Sequence, residues 1–201
     1  MKLFYSKGAC SLATHIIINE IGVACEYELV DLKSKKTADG KDYLLINPKG
    51  AVPALQLDTN EILTENAVIQ QYLADTHKAS TLLPPIHDFK RYRVLEWLNF
   101  ISADIHKSFG PLFNSQVSTT DQENIFLPNL KKKFDFVDNH LKNNAYLVGD
   151  DFTLPDGYLF VMLTWLPKFK IELSTWQSLP RYFAALSNRP SIQHSLAEEG
   201  F

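Results

Sequence analysis

Cys10 stands in the stretch FYSKGACSLATHIIINE, where an extended run gives way to a helical pattern. A thiol attacks only as thiolate. A free cysteine has a pKa of about 8.5, and the unpaired N–H groups and dipole at the start of a helix lower it by about one to several units. Cys10, after Gly8-Ala9 and before Ser11, reads as such a position. It is either a working thiol or a small apolar residue that fills space. Cys25 is the internal control, because it opens a strand-like run beside Ala24 and Tyr27, where burial keeps a thiol neutral. No second cysteine lies three residues from Cys10, which excludes a C-x-x-C dithiol. A monothiol can form a mixed disulfide with a small thiol but cannot resolve it internally.

Two further stretches bear on that thiol. In KGAVPAL, a proline precedes a short strand within an α/β pattern. That arrangement is similar to the cis-proline loop of thioredoxin-like folds. A cis Val52-Pro53 bond turns the backbone of Val52 toward the cysteine, where it can pair with an extended peptide ligand. The plain alternative is an ordinary X-Pro turn. In EWLNFISADIHKSFG, helical spacing puts Asn99, Ala103, His106 and Gly110 on one face, beside an apolar stripe of Leu98, Ile101, Ile105, Phe109 and Leu112. His106 could hydrogen-bond a sulfur or exchange a proton with it, and Lys107 could add positive potential. A lone helical histidine is equally at home as a structural residue.

The elements that must hold these residues fall into two halves. Residues 1–77 read β-α-β-α-β-β-α: strand Lys2–Tyr5, helix Ser11–Ile21 stopped by Gly22, strand Cys25–Leu32, a polar loop over 33–39, and a short helix ending near Ile46. Strand Ala54–Leu57, a turn at Asp58-Thr59-Asn60, strand Glu61–Leu63 and helix Glu65–Thr76 complete them. This order predicts a small α/β domain with a mixed sheet. Residues 78–88 form a linker with a proline pair, and 89–201 carry only helical patterns: Phe89–Phe113, Asp121–Lys142, the nearly all-apolar Thr153–Lys168, then Leu179–Asn188 and Ser191–Ala197. Thr153 and Asp156 form an Asp version of the capping box with Pro155 in the first turn, a folding signature rather than a site.

Composition sets outer limits. The net charge of −3 gives no reason to expect a nucleic-acid or anionic-membrane partner, and the densest basic run, Leu130–Lys133, reads as a solvated helix face. No apolar run is long enough to span a bilayer, and MKLFYSKGAC lacks the apolar core of a secretory signal. With two cysteines and no disulfide framework, a reducing cytoplasm is the expected location and both thiols are expected to be unbridged.

Taken together, MKLFYSKGACSLA, NPKGAVPAL, LTENAVIQQYLAD, EWLNFISADIHKSFGPLF, FTLPDGYLF and SLAEEG resemble the bacterial beta-class glutathione S-transferases along essentially the whole chain. The resemblance implies a thioredoxin-like N-terminal domain, an all-helical C-terminal domain contributing an electrophile pocket, and a homodimer binding one glutathione per subunit. It implies no metal and no cofactor, glutathione being a co-substrate. Cys10 would contact the glutathione sulfur and can hold it as a mixed disulfide; Tyr5 and Ser11 match positions near that sulfur. Lys35, Val52, Pro53, Glu65 and Asn66 match positions that bind the rest of the tripeptide, with Val52 pairing its backbone to the cysteinyl unit and Lys35 reaching the glycyl carboxylate. Asn99, Ala103, His106 and Lys107 match the helical side of the site, and Asp104 would reach across the dimer interface.

The γ-glutamyl end of glutathione carries an ammonium and a carboxylate on one carbon. Glu65 beside a helix start offers a complement to each. Asn66 departs from the family pattern, in which Ser, Thr or Gly is commoner, though its amide can still donate. The same three residues, Thr64-Glu65-Asn66, would also cap the helix; both readings can hold.

The function this implies is conjugation of glutathione to small hydrophobic electrophiles. Within it, Cys10 either assists the attacking sulfur or carries thiol–disulfide or peroxide chemistry through a mixed disulfide. The alternative of a different class is a non-catalytic binder or scaffold, whose ligand groove would use the thirteen Phe, eight Tyr and three Trp that otherwise form core. The physiological electrophile is not encoded in any motif of the chain.

Overall fold

The computed structural model describes all residues from Met1 to Phe201. Two compact units divide the chain, Met1–Leu83 with Ser187–Phe201, and Pro84–Leu186. The sequence places the last helices with the second half, but the structure groups Ser187–Phe201 with the first. Packing with Ile192 buried and polar bonds both join them: Arg189 and Ser191 hydrogen-bond Glu20, and Ser195 and Glu198 accept from Asn19.

The first unit is built on a five-stranded sheet of order β3-β2-β1-β4-β5. Its strands are β1 (Lys2–Tyr5), β2 (Glu26–Asp31), β3 (Lys36–Thr37), β4 (Ala54–Gln56) and β5 (Ile62–Thr64). β1 runs parallel to β2 and antiparallel to β4, so the sheet is mixed, as the β-α-β-α-β-β-α order predicts. The polar loop expected over 33–39 instead contains β3. Asp31 makes this possible: its carboxylate accepts from the Lys33 N–H and the Ser34 hydroxyl, and the tight turn returns Lys36 and Thr37 to pair with Asp31 and Val30. The short helix expected to end near Ile46 is a 3-10 turn, Tyr43–Leu45, capped by Asp42. Helices α1 (Ser11–Ile21) and α2 (Asn66–Thr76) complete the α/β pattern. Phe4, Val30, Tyr43, Val52 and Ala54 form one core cluster of this unit.

The second unit is helical: α3 (Phe89–Phe100), α4 (Gly110–Phe113), α5 (Thr119–Asp121), α6 (Leu127–Leu141), α7 (Leu154–Trp165) and α8, which starts at Leu179 and ends at the boundary residue Ser187. The two long periodic runs are not uninterrupted α-helices. Ile101–His106 and Gln122–Phe126 are π turns; Pro128, just past the second, has no N–H to give the preceding turn and its ring crowds the carbonyl there. α7 is buried nearly all round, and its capping box forms as expected. The Thr153 N–H and hydroxyl each donate to the Asp156 carboxylate at 2.8 Å. The other Asp156 oxygen accepts from the Leu147 N–H and the Tyr182 hydroxyl. Burial raises the pKa of this carboxyl while those donors oppose the shift. Back in the first unit, α9 (Pro190–Glu199) packs on α1.

No helix is long and apolar enough to cross a membrane.

Candidate active site

Cys10 is the residue at which the chain enters α1. Its thiol donates to the Val52 carbonyl at 3.2 Å, and the Val52-Pro53 bond is cis, the form expected for this loop. The structure therefore brings Cys10, Val52 and Pro53 together. Pro53 is followed at once by β4, which pairs with β1 at Phe4↔Ala54 and so fixes the distance between the thiol loop and the cis-proline loop.

The turn carrying the thiol is braced from within and from the chain's end. Ser11 is fully buried; its hydroxyl accepts from the Ser6 N–H at 3.1 Å and donates to the Ser6 carbonyl. It closes the loop between β1 and α1, with its hydroxyl engaged by the Ser6 backbone. Gly8, at φ 62°, adopts a left-handed conformation, and a Cβ there would lie 2.9 Å from the Phe201 ring. Its N–H donates to the buried Glu199 carboxylate at 2.8 Å. The other Glu199 oxygen lies 3.1 Å from His15 Nδ1, and Glu198 lies 2.8 Å from His15 Nε2. Both ring nitrogens of His15 thus face carboxylate oxygens from the end of α9. Tyr5 packs its ring against His15 and Tyr27. Burial, then Glu199 and Glu198, raise its pKa, so it is a phenol that donates rather than a phenolate.

The start of α2 is the second landmark. Glu65 sits at φ 74°, a conformation seldom adopted by side-chain-bearing residues, and its exposed carboxylate pairs with Lys49 at 2.5 Å. Lys49 also donates to Thr64. Asn66, by contrast, is buried. Its amide donates to the Cys10 carbonyl at 2.5 Å rather than facing outward as a ligand donor. Lys35, at φ 56°, donates to the Gly50 carbonyl at 2.7 Å, which occupies one of its three N–H groups.

In the helical unit the π turn changes which residues share a face. Regular α spacing aligns Asn99, Ala103, His106 and Gly110. The wider π turn separates them. Ala103, Asp104 and Lys107 line an open cleft of about 1170 Å³ with Trp97, Phe100 and Phe136, while Asn99 is exposed outside it. His106 does not line this cleft. Its Nδ1 is 2.7 Å from the Tyr158 hydroxyl, and its ring packs edge-on against Trp165. Burial, with a smaller contribution from Lys107, pushes its pKa down to about 4, so the ring is neutral at pH 7. Asp104 pairs with Lys133 at 3.3 Å. The apolar stripe of Leu98, Ile101, Ile105, Phe109 and Leu112 is buried as its spacing predicts.

Sequence reading passed over Lys49, Thr14, Gln70, His15, Glu198, Glu199 and Tyr158 as site-supporting residues. A signal existed for some of them. Thr14 and His15 interrupt an otherwise apolar run from Leu12 to Ile18, and Gln70 follows Ile69 on the inner face of α2; all three are buried. A polar side chain on an apolar face needs a partner, so each marks a buried network. Cys25, the control, donates to the Glu26 carbonyl at 3.3 Å, and burial pushes its pKa up to about 11.

Residues 1–75 match the family described as "Glutathione S-transferase, N-terminal domain", and residues 100–190 match "Glutathione S-transferase, C-terminal domain". The chain is 40% identical over 200 residues to glutathione S-transferase GstA of Escherichia coli O157:H7, covering 100% of this chain and 99% of that one. A sphingomonad glutathione S-transferase complexed with glutathione shares 39% identity at a TM-score of 0.95, with full coverage of both chains. The bacterial beta-class enzyme of Sphingomonas chungbukensis gives the same identity and TM-score, with 100% of this chain and 99% of that chain covered. A cysteine at the start of the first helix, the cis-proline loop beside it, and likeness of sequence and fold over the full length agree: the chain belongs to the glutathione S-transferase family, and its relatives include bacterial beta-class enzymes.

Proposed function

We propose that this glutathione S-transferase directs the glutathione sulfur at small hydrophobic electrophiles, with Cys10 beside that sulfur and able to hold it as a mixed disulfide. The observation that carries this is the Cys10 thiol at the first turn of α1, 3.2 Å from the Val52 carbonyl of the cis-proline loop. A thiol there meets the N–H groups and dipole of the helix start, and an extended tripeptide along Val52 would bring its own sulfur to the same place.

The remaining roles follow from chemistry. Val52 would pair its backbone with the cysteinyl unit, and Pro53 would hold that loop. The Glu65 carboxylate would take the γ-glutamyl ammonium, and the N–H groups opening α2 its carboxylate. Lys35 would reach the glycyl carboxylate with the donors left after its bond to Gly50. His106, neutral at pH 7, would serve the sulfur as a hydrogen-bond partner, and Lys107 would supply the positive charge that favours thiolate. Tyr5 is a donor near Cys10 in sequence, whereas Ser11 would act by fixing the loop. We assign Asn99 and Ala103 to the surroundings of the tripeptide, and Asp104 to the neighbouring site of a homodimer. The cleft between α3 and α6 is the face assigned to the second copy. Arg93 and Lys133 line it with Glu96 and Asp104, so a twofold pairing can set each charge against its opposite. The cytoplasm is the proposed location.

Two measurements test this. Turnover of a generic aryl halide with glutathione is expected; affinity for glutathione without turnover would make the protein a binder. Treatment with glutathione disulfide should give an adduct of tripeptide mass at Cys10: the Cys10 thiolate attacks one sulfur, the S–S bond breaks, and one glutathione thiolate leaves. Absence of that adduct, with conjugation intact in Cys10→Ala, would remove the covalent role and leave Cys10 as a bystander.

A further inference from the structure

Asn66 sits at the centre of a buried polar bridge between the first turns of α1 and α2. Its Nδ2 donates to the Cys10 carbonyl at 2.5 Å, while its Oδ1 accepts from the Thr14 hydroxyl at 2.7 Å and from Gln70 Nε2 at 2.9 Å. Asn66, Thr14 and Gln70 are all buried. Only one orientation of the Asn66 amide satisfies these partners. Reversed, its oxygen would face the Cys10 carbonyl oxygen and its NH₂ would face the donors of Thr14 and Gln70.

Such a cluster is an expensive way to fill space. Buried polar groups cost free energy unless paired, and the Gln70 Oε1 oxygen is the buried side-chain atom left without any hydrogen-bond partner. Three apolar side chains would pack there at less cost. What the polar trio adds is direction. It holds a main-chain carbonyl of the residue that carries the thiol, and it does so from the residue whose own N–H lies in the first turn of α2.

We propose that Asn66 is a positioning residue for Cys10: its amide ties the Cys10 carbonyl to the start of α2, with Thr14 and Gln70 fixing the amide's orientation. The two helix starts, one carrying the thiol and the other facing the charged end of the tripeptide, then move as one piece. A Ser or Thr side chain at position 66 is shorter and could not span to the same carbonyl by the same route. This inference rests on the reading of Cys10 as neighbour to the glutathione sulfur, and it assigns Asn66 to the thiol rather than to direct contact with the tripeptide.

The test measures Cys10 by itself. Iodoacetamide labelling of the full chain without glutathione, followed by peptide mass mapping, reads how the first turn of α1 presents the thiol. In Asn66→Ala the labelling rate at pH 7 should fall about fivefold, as a partial loss of the helix-start field implies, and its rate-against-pH curve should move to higher pH. Thr14→Val, which leaves Asn66 in place but frees its amide to turn, should give a smaller fall in the same direction. The double variant should lose no more than Asn66→Ala alone, because both act through one bond. A purely structural role would lower the urea midpoint and leave labelling in the folded protein unchanged; that result overturns the proposal. So does an unchanged labelling rate with a raised KM for glutathione, which would mean that Asn66 acts on the tripeptide directly. If labelling falls in both variants while glutathione turnover stays as in the parent, the positioning stands and the reading of Cys10 as part of the glutathione site fails.

Discussion

The chain's two cysteines are both half-buried, so exposure does not separate them. What separates them is the backbone each one meets. Cys25 leads into β2 and donates to the carbonyl of the next residue, and burial disfavours its thiolate with little to compensate. Cys10 opens a helix, with a loop closed by Ser11, anchored by Glu199 and tied by Asn66 around it. Along a strand the N–H groups go largely to neighbouring strands, and the one that favours the Cys25 thiolate, that of Leu3, is outweighed by burial; the first turn of a helix leaves several unpaired. The proposal that Cys10 is the reactive thiol therefore rests on the element that holds it.

The largest expected effect tests that statement directly. With its pKa at about 11, Cys25 holds roughly one part in ten thousand as thiolate at pH 7. Brief alkylation at pH 7 should label Cys10 at least about a hundredfold faster than Cys25, and Cys10→Ala should leave the chain almost unlabelled. Between pH 7 and 10, the Cys25 rate should climb about tenfold per pH unit. Comparable labelling of the two at pH 7 would break the comparison.

A smaller effect tests the brace. Glu199 is fully buried and takes bonds from the Gly8 N–H and His15. In Glu199→Gln the charge that meets His15 is gone, while Glu198 still faces the other ring nitrogen. The expected cost is about 2–3 kcal/mol, read as a lowered urea midpoint at unchanged slope. An unaltered midpoint would show that the helix start needs no support from α9.

How far these features could be read in advance differs by kind. The order of elements in the first unit, β3 apart, and α1 follow from short apolar alternations and turn residues whose meaning is local, such as Gly22 after Ile21. The start of α1 made Cys10 visible as a chemical group, and the proline of KGAVPAL pointed to the loop beside it. The brace was not legible, because Gly8 and Glu199 are far apart in sequence and nothing local in either residue names the other. Asn66 was legible as a departure from the family pattern but not as a strut, since the direction of an amide is set by what it meets in space. The face of His106 was misread for a geometric reason. The spacing rule assumes 3.6 residues per turn, and the π turn at Ile101–His106 does not keep it.

The smallest effect extends the comparison from thiols to His106, because burial acts on it as it does on Cys25 and in the same sense, against the charged form. The ordinary values differ, so the consequences fall at opposite ends of the pH range. For Cys25 the folded pKa of about 11 exceeds the ordinary value, so the unfolded chain releases its proton first and stability falls as pH rises from about 9 to 11. For His106 the folded pKa of about 4 lies below the ordinary 6.5, so the unfolded chain binds a proton first and stability falls as pH drops from 6.5 toward 4. Integrated from pH 7 to 5, the histidine contributes a loss of about 2 kcal/mol. His106→Gln has nothing to protonate there, so urea unfolding should lose about 2 kcal/mol less than the parent over that interval. An identical loss in both proteins would mean that His106 meets water more freely than its contacts with Tyr158 and Trp165 imply, and the rule drawn from Cys25 would not carry to the helical unit.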